Sequence, residues 1–468
     1  MDNILIRNAK VLDGGGGEAY DADLRIANNK IIQIGPELPA GGEHVLDASG
    51  LVACPGFIDM HSHADLAYLK RPTPDQKIRQ GVTSEVLGQD GLGVAPVNPA
   101  SLPDLQEIIG GLQGRLSPDG WTWRSFADYL ETLGKVGVPT NVAALATHAP
   151  LRLIAMGMQK RFATGQELAH MQRLLEECLE SGAFGLSTGL EYPPQYYANQ
   201  DELIALNKIT ARYDGVYLVH QRNEARDIQS SFQEQLSIAQ GSGVRLHISH
   251  LKTWGQANWG RIDAILSMAD EFHASGGAIT WDRYPYLAGS TLLGIILPEW
   301  AWADGTQVLI HNLKEAGYRE RLQAEFGKDP QEWENDPSTV GWENILVSGV
   351  TLEKNHWMQG RSVADLAAQT GMDEVSLVCD LLAEERLAVT AIFFYGSEDV
   401  LEKVLAHPLA CVGSDGVHLG MPHPRLYGSF PHFIEQFALR KKIISLPEAV
   451  RKVTSLPAEI LGLQKRGR

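Results

Sequence analysis

From Leu51 onward the chain repeats one unit, a short apolar segment that closes on a polar or histidine residue, followed by an amphipathic stretch of helical period. Such alternation marks successive βα units and a parallel sheet, because strands covered on both faces read as apolar runs. Segment ends can be placed at His61, Gly88, His148, Ser187, His220, His250, Asp282 and Asp415. Eight ends are what a closed (β/α)8 barrel needs, and such barrels gather their reactive side chains at the C-terminal mouth. The expected class is therefore α/β, a TIM-like barrel over residues 54–468.

Residues 1–53 read differently. Ile4-Leu5-Ile6-Arg7, Ala22-Asp23-Leu24-Arg25-Ile26 and Lys30-Ile31-Ile32-Gln33-Ile34 alternate as short strands between turn-rich Asp13–Gly17 and Pro36–Gly42, which predicts a small β module. Within the barrel, residues 293–375 interrupt the rhythm with Trp300, Trp302, Trp333, Trp342 and Trp357 among charged helical segments such as Leu313–Phe326. They are either a helical insertion over the barrel mouth or part of the outer helices.

A formal charge of -17 disfavours nucleic acid or an anionic membrane as partner, since both demand a basic face. No run of about 18 apolar residues and no basic flank leading into an apolar start is found, so a cytoplasmic protein is expected. Cys54, Cys178, Cys379 and Cys411 are scattered without CxxC pairing, as free buried thiols would be.

The strongest local signal is Pro55-Gly56-Phe57-Ile58-Asp59-Met60-His61-Ser62-His63. Residues two apart in a strand share a face, so both imidazoles can reach one ion at the mouth. Alone, an HxH pair is as readily a pair of buried histidines bonded to carbonyls. Two further strands end in histidine, Gly215–His220 and Val244–His250. His250 is the expected ligand there, and His247, on the opposite face, is structural. Ala410-Cys411-Val412-Gly413-Ser414-Asp415-Gly416 presents a carboxylate between small residues, placed to exchange a proton with water and a leaving amine, although Asp before Gly is also a common turn.

Together PGFIDxHxH, the two histidine strand ends and SDG resemble the amidohydrolase superfamily. More narrowly the chain is similar to the N-acyl-D-amino acid deacylases (D-aminoacylases) over nearly its whole length. The motifs carrying this are Gly81-Val82-Thr83, Gly185–Tyr192, His220-Gln221-Arg222-Asn223-Glu224, Ile248–Lys252, Tyr284–Thr291 and His423–Pro431. The resemblance implies metal-dependent hydrolysis of N-acyl-D-amino acids to a carboxylate and a D-amino acid. His61, His63, His220 and His250 would hold Zn2+, and Asp415 would be the general acid/base. Family members usually carry a metal-binding cysteine where this chain has Asp90. A carboxylate also binds or bridges zinc, and the harder donor favours two zinc ions or manganese.

The substrate carboxylate needs a clamp, for which Lys252 and Arg425 are the cationic candidates and solvent-exposed charge the alternative. The resemblance adds Tyr192 and a tyrosine of the Tyr284-Pro285-Tyr286 turn. His148 matches a family histidine and is expected to support the site from behind. Gln195, Tyr196 and Tyr197 are pocket candidates. Relatives continue past the equivalent of Leu461–Arg468 into strands that complete the β module, so either fewer strands close the module here or the chain is truncated. The competing functions are a cyclic-amide hydrolase, whose bridging lysine is not found, and a metal-poor binding protein.

Overall fold

The computed structural model describes residues 3–70, 75–328 and 335–468, so Trp333 lies outside the described residues. The strands Ile4–Val11, Tyr20–Ala27, Lys30–Gly35, His44–Asp47 and Val52–Ala53 form one sheet. The first pairs antiparallel with the second and parallel with the fourth and fifth. Alternation buries Ala9, Val11, Ala22 and Leu24 together with Ala48. Ile31, Ile32, Ile34, Val45 and Leu46 are left exposed. The sheet touches the end of the chain where Ser455 Oγ donates to Gly14 O at 2.6 Å. Gly14 has φ 85°, and a Cβ there would lie 2.2 Å from Gly467 O, so no other residue fits that approach.

The barrel is present and closed. Its strands are Phe57–Asp59, Val82–Leu87, a third in two pieces (Asn141–Ala144 and Ala146–Thr147), Gly185–Gly189, Val216–His220, Arg245–Ile248, Ile279–Arg283 and Ala410–Val412. All neighbours in that order pair in parallel. The eighth strand meets the first where Met60 N donates to Val412 O at 3.4 Å and Asp415 N to His61 O at 2.8 Å. Just above, Ser62–His63 pairs with Gly416–Val417. The expected segment ends fall at or within a few residues of the eight strand ends.

Each strand serves two cores. In Val216–His220, Tyr217 and Val219 pack outward with Ile228, Phe232, Ile262 and Ile265 of the covering helices Ile228–Ser242 and Ile262–Ala274. Val216 and Leu218, on the face of His220, pack with Ile58, Val86 and Leu145 and with Leu456, Ala458 and Ile460 of the helix Ser455–Ile460.

Between the seventh and eighth strands, Ala288–Leu292, Thr390–Phe394, Ile345–Gly349 and Arg361–Ser362 form an antiparallel sheet in that order. Helices Thr306–Asn312, Ala316–Phe326, Val363–Thr370 and Glu374–Glu384 accompany it. The segment is thus mixed rather than purely helical, because runs such as Thr390-Ala-Ile-Phe-Phe have strand character. Trp302 is buried, Trp300 stacks beneath Arg321, Trp342 packs on Phe326, and Trp357 is exposed beside Arg361. No helix among the described residues is long and apolar enough to cross a membrane.

Candidate active site

His61 and His63 follow the first strand, and both rings are buried at the mouth with centroids 5.2 Å apart. The loop after the second strand brings Asp90 to them through three left-handed residues, Gly88 (φ 79°), Asp90 (55°) and Gly91 (64°). A side chain on Gly91 would strike Gln195, whose Nε2 donates to Asp90 O at 3.1 Å. Gly91 N donates to Ser187 Oγ at 3.0 Å, so the fourth strand and Gln195 pin the loop. Gln195 therefore holds the Asp90 loop rather than a pocket.

Asp90 sits between two groups of donors. Its Oδ2 lies 3.5 Å from His61 Nε2 and 3.4 Å from His63 Nε2, while its Oδ1 lies 3.7 Å from His250 Nε2. Asp415 Oδ1 is 3.1 Å from His63 Nε2 and 3.7 Å from His61 Nε2. On the other side His220 Nδ1 lies 3.0 Å from His250 Nε2. Donor atoms of His61, His63, Asp90 and Asp415 all fall within 4.8 Å of one another, as do those of Asp90, His220 and His250.

Behind three of these histidines stand carboxylates that the sequence reading did not assign. Asp282 Oδ2 is 3.4 Å from His61 Nδ1 and 3.1 Å from His247 Nε2, and its Oδ1 accepts from His250 N at 3.0 Å. His247 is thus structural, as expected. Glu191 Oε2 is 2.6 Å from His220 Nε2, and Glu224 Oε1 is 3.3 Å from His250 Nδ1. A carboxylate bonded to the ring, as Glu191 is to His220 and Asp282 to His61, fixes which ring nitrogen keeps its proton and leaves the other lone pair facing the site. Both glutamates lie inside the quoted motifs, one residue from Leu190 and one from Asn223, where the signal for them was available. His148 does not join this set: its Nε2 lies 2.8 Å from Glu202, which also takes Arg152 at 2.6 Å.

The cluster is built for added positive charge. Burial lowers the His61 pKa, yet Asp90, Asp282 and Asp415 outweigh it and hold the pKa well above the usual range. Burial raises Asp90, and His61 and His250 more than reverse this. His61 Nε2 and Asp90 Oδ1 are buried without a hydrogen bond. Buried nitrogen and oxygen donors left unpaired in this way fit a divalent cation.

Arg425, buried on the helix Arg425–Phe433, places Nη1 2.9 Å from Asp415 Oδ2 and donates from Nη2 to Ser290 O at 2.7 Å. Its Nε and Nη1 make no hydrogen bond. Burial raises the Asp415 pKa, but Arg425 and His61 hold it far below the carboxylate range, so it stands ionised. Lys252 lies beside His250 Nδ1 at 2.9 Å and is ion-paired with Glu224. Tyr192 and Tyr284 border the same cavity as the ligand cluster, with Lys252 and Arg425. Tyr192 Oη bonds Thr291 Oγ1 at 2.8 Å, and Tyr284 lies 4.6 Å under the Arg425 guanidinium. Tyr286 instead stacks on His432 and is not part of that wall. Gly289, Ser290, Thr291, Ile295 and Asp336, from the segment between the last two strands, complete the cavity.

The amidohydrolase family profile matches residues 44–468. The chain is 33% identical to an N-acyl-D-glutamate deacylase of Alcaligenes xylosoxydans xylosoxydans over all of its own length and 84% of that protein. Among solved structures it matches an N-acyl-D-glutamate deacylase of Bordetella bronchiseptica, complexed with zinc and a phosphonate inhibitor, at 30% identity and TM-score 0.82, covering 100% of this chain and 87% of that one. It also matches a D-aminoacylase described by its binuclear metal center, at 28% identity, TM-score 0.83 and the same coverage. With the motifs, the closed barrel and these full-length matches in agreement, the chain belongs to the amidohydrolase family, in its N-acyl-D-amino acid deacylase branch.

Proposed function

We propose that this chain hydrolyses the amide bond of N-acyl-D-amino acids, releasing a carboxylate and a free D-amino acid, with zinc as its metal. The observation carrying this is the two-sided donor cluster around Asp90, set against a buried Arg425 with unspent donors. His61, His63, Asp90, His220 and His250 are the proposed ligands, for one or two Zn2+ ions, with Mn2+ a compatible substitute. When bound, the metal polarises the acyl carbonyl and lowers the pKa of the attacking water.

The protein's own groups do the rest. Arg425, with Tyr192, Tyr284 and Lys252 around it, holds the substrate carboxylate and so orients the scissile amide. Of the Tyr284-Pro285-Tyr286 turn, Tyr284 is the residue assigned to this clamp. Asp415 enters ionised, takes the proton of the attacking water and returns it to the departing nitrogen. A substrate carboxylate on Arg425 shares the guanidinium with Asp415, which raises the basicity of Asp415 as the substrate arrives. Glu191 behind His220 keeps that ring in the ligating tautomer. We assign residues 1–53 to the β module and 54–468 to the catalytic barrel, with residues 293–375 as the heart of the covering insertion.

The test is a panel of N-acetyl-D- and N-acetyl-L-amino acids, assayed before and after chelation and again after zinc repletion. Metal-dependent release of D-amino acids is expected. A dead panel with turnover of hydantoins or dihydropyrimidines would replace the reading with a cyclic-amide hydrolase, and protein that refuses zinc would replace it with a binding role.

A further inference from the structure

The cavity at the ligand cluster adjoins a second one of about 340 Å³, and Glu191, Tyr192, Ile295 and Asp336 border both. One part of its wall is apolar and aromatic, with Ile108, Leu292, Ile296, Leu297, Trp300 and Trp302, and the rest carries polar groups that include Glu299 and Glu325. Four Lys or Arg residues line the two cavities among the described residues, and a carboxylate already holds each. Lys252 is paired with Glu224, Arg425 with Asp415 at 2.9 Å, Lys160 with Glu299 at 2.8 Å and Arg222 with Glu234 at 3.0 Å. Arg425 alone among them has a buried donor outside its ion pair and without a hydrogen bond, on Nε. That is provision for one substrate carboxylate.

We propose that the chain selects N-acyl-D-amino acids with large, neutral, apolar side chains and refuses acidic ones, although a relative at 33% identity is named for D-glutamate. The proposal rests on the deacylase reading above. A second carboxylate would leave water for a space walled by isoleucine, leucine and tryptophan on one part and by groups that include Glu299 and Glu325 on the rest. Among the described residues it would meet no lining lysine or arginine free of a carboxylate there. At the seam it would face Glu191, which is held by His220 rather than by a lysine or arginine. An apolar side chain gains in proportion to the area it buries against the apolar part of the same space.

The experiment compares kcat/KM of the zinc-loaded full chain for the N-acetyl derivatives of D-leucine, D-phenylalanine, D-tryptophan, D-glutamate and D-aspartate. Calorimetric titration of metal-free protein with N-acetyl-D-phenylalanine and N-acetyl-D-glutamate runs beside it. The apolar substrates should lead by roughly a hundredfold, the scale expected of a misplaced charge and an unfilled apolar pocket, and calorimetry should rank the ligands likewise. Acidic ligands equal to or better than apolar ones in either measurement overturn the proposal while leaving the deacylase reading standing. No turnover with apolar-over-acidic binding would sink the deacylase reading and keep the pocket assignment. Failure of both ligands to bind sinks the two together.

Discussion

Asp90, His250 and Asp415 are three non-glycine residues of the cluster with left-handed backbones, at φ 55°, 36° and 50°. Residues of that kind cost free energy that the surroundings must supply, and they concentrate where side-chain direction matters more than stability. Here the turn at each residue aims a donor back over the barrel mouth instead of along its strand. Asp415→Asn keeps the shape and removes the basicity, so metal content should be unchanged while kcat falls by at least about 100-fold, the usual worth of a positioned acid/base. Retention of most of the wild-type rate in a stopped assay would remove Asp415 from that role. Arg425→Met should raise KM for N-acetyl-D-amino acids at least tenfold, as loss of a charge-assisted hydrogen bond of about 1.5–3 kcal/mol would. Part of kcat goes with it, because Asp415 loses its partner. The matching carboxamide substrates, lacking the carboxylate, should show no such rise in KM, and equal effects on both would dismiss the clamp.

At the scale of elements, the histidine-bearing strand ends were legible because a ligand must sit where a strand stops, and apolar runs declare where strands stop. The supporting carboxylates were not. Asp282 reads as one more polar strand end, and its link to His61 joins residues 221 apart in the chain, which no local pattern announces. The sheet between the seventh and eighth strands was hidden for a related reason: its pairing is long-range, while its tryptophans and charged helices dominate the local signal. His148 is instructive, since it begins the helix His148–Met156 and binds Glu202 of the helix Gln200–Arg212, with Arg152 one turn on. Burial raises the Glu202 pKa, but His148 and Arg152 bring it down to about 2. The folded pKa is below the unfolded one, so this pairing stabilises fully above the ordinary glutamate range and is lost as pH falls toward about 2. Linkage puts the loss at roughly 2 kcal/mol by pH 3. Urea unfolding from pH 7 to pH 3 should therefore show Glu202→Gln well below the wild type at pH 7 and converging on it in acid. Parallel pH curves would refute the pairing's share.

On the scale of the whole molecule, the mouth and the floor of the barrel divide the work. Chemistry gathers at the strand ends, whereas the floor is filled by Leu456, Ala458 and Ile460 packed on residues of the first, second, third and fifth strands. Those residues lie some 40 positions after the last barrel strand, so their contacts tie the end of the chain to its beginning. The separation predicts that floor and mouth can be damaged independently. Leu456→Ala removes a buried side chain from a site whose neighbours belong to several strands and cannot all close on the gap. It should cost about 2–5 kcal/mol of stability. Because the ligand and clamp residues stand at the other end of the strands from Leu456, kcat/KM below the melting range should stay within about twofold of wild type, as expected for distant sites. Denaturant unfolding and steady-state kinetics on one preparation check both halves. A large loss of rate in folded protein would mean that the floor sets the spacing of the strand ends, and that the barrel passes strain from one end to the other rather than insulating its metal cluster from it.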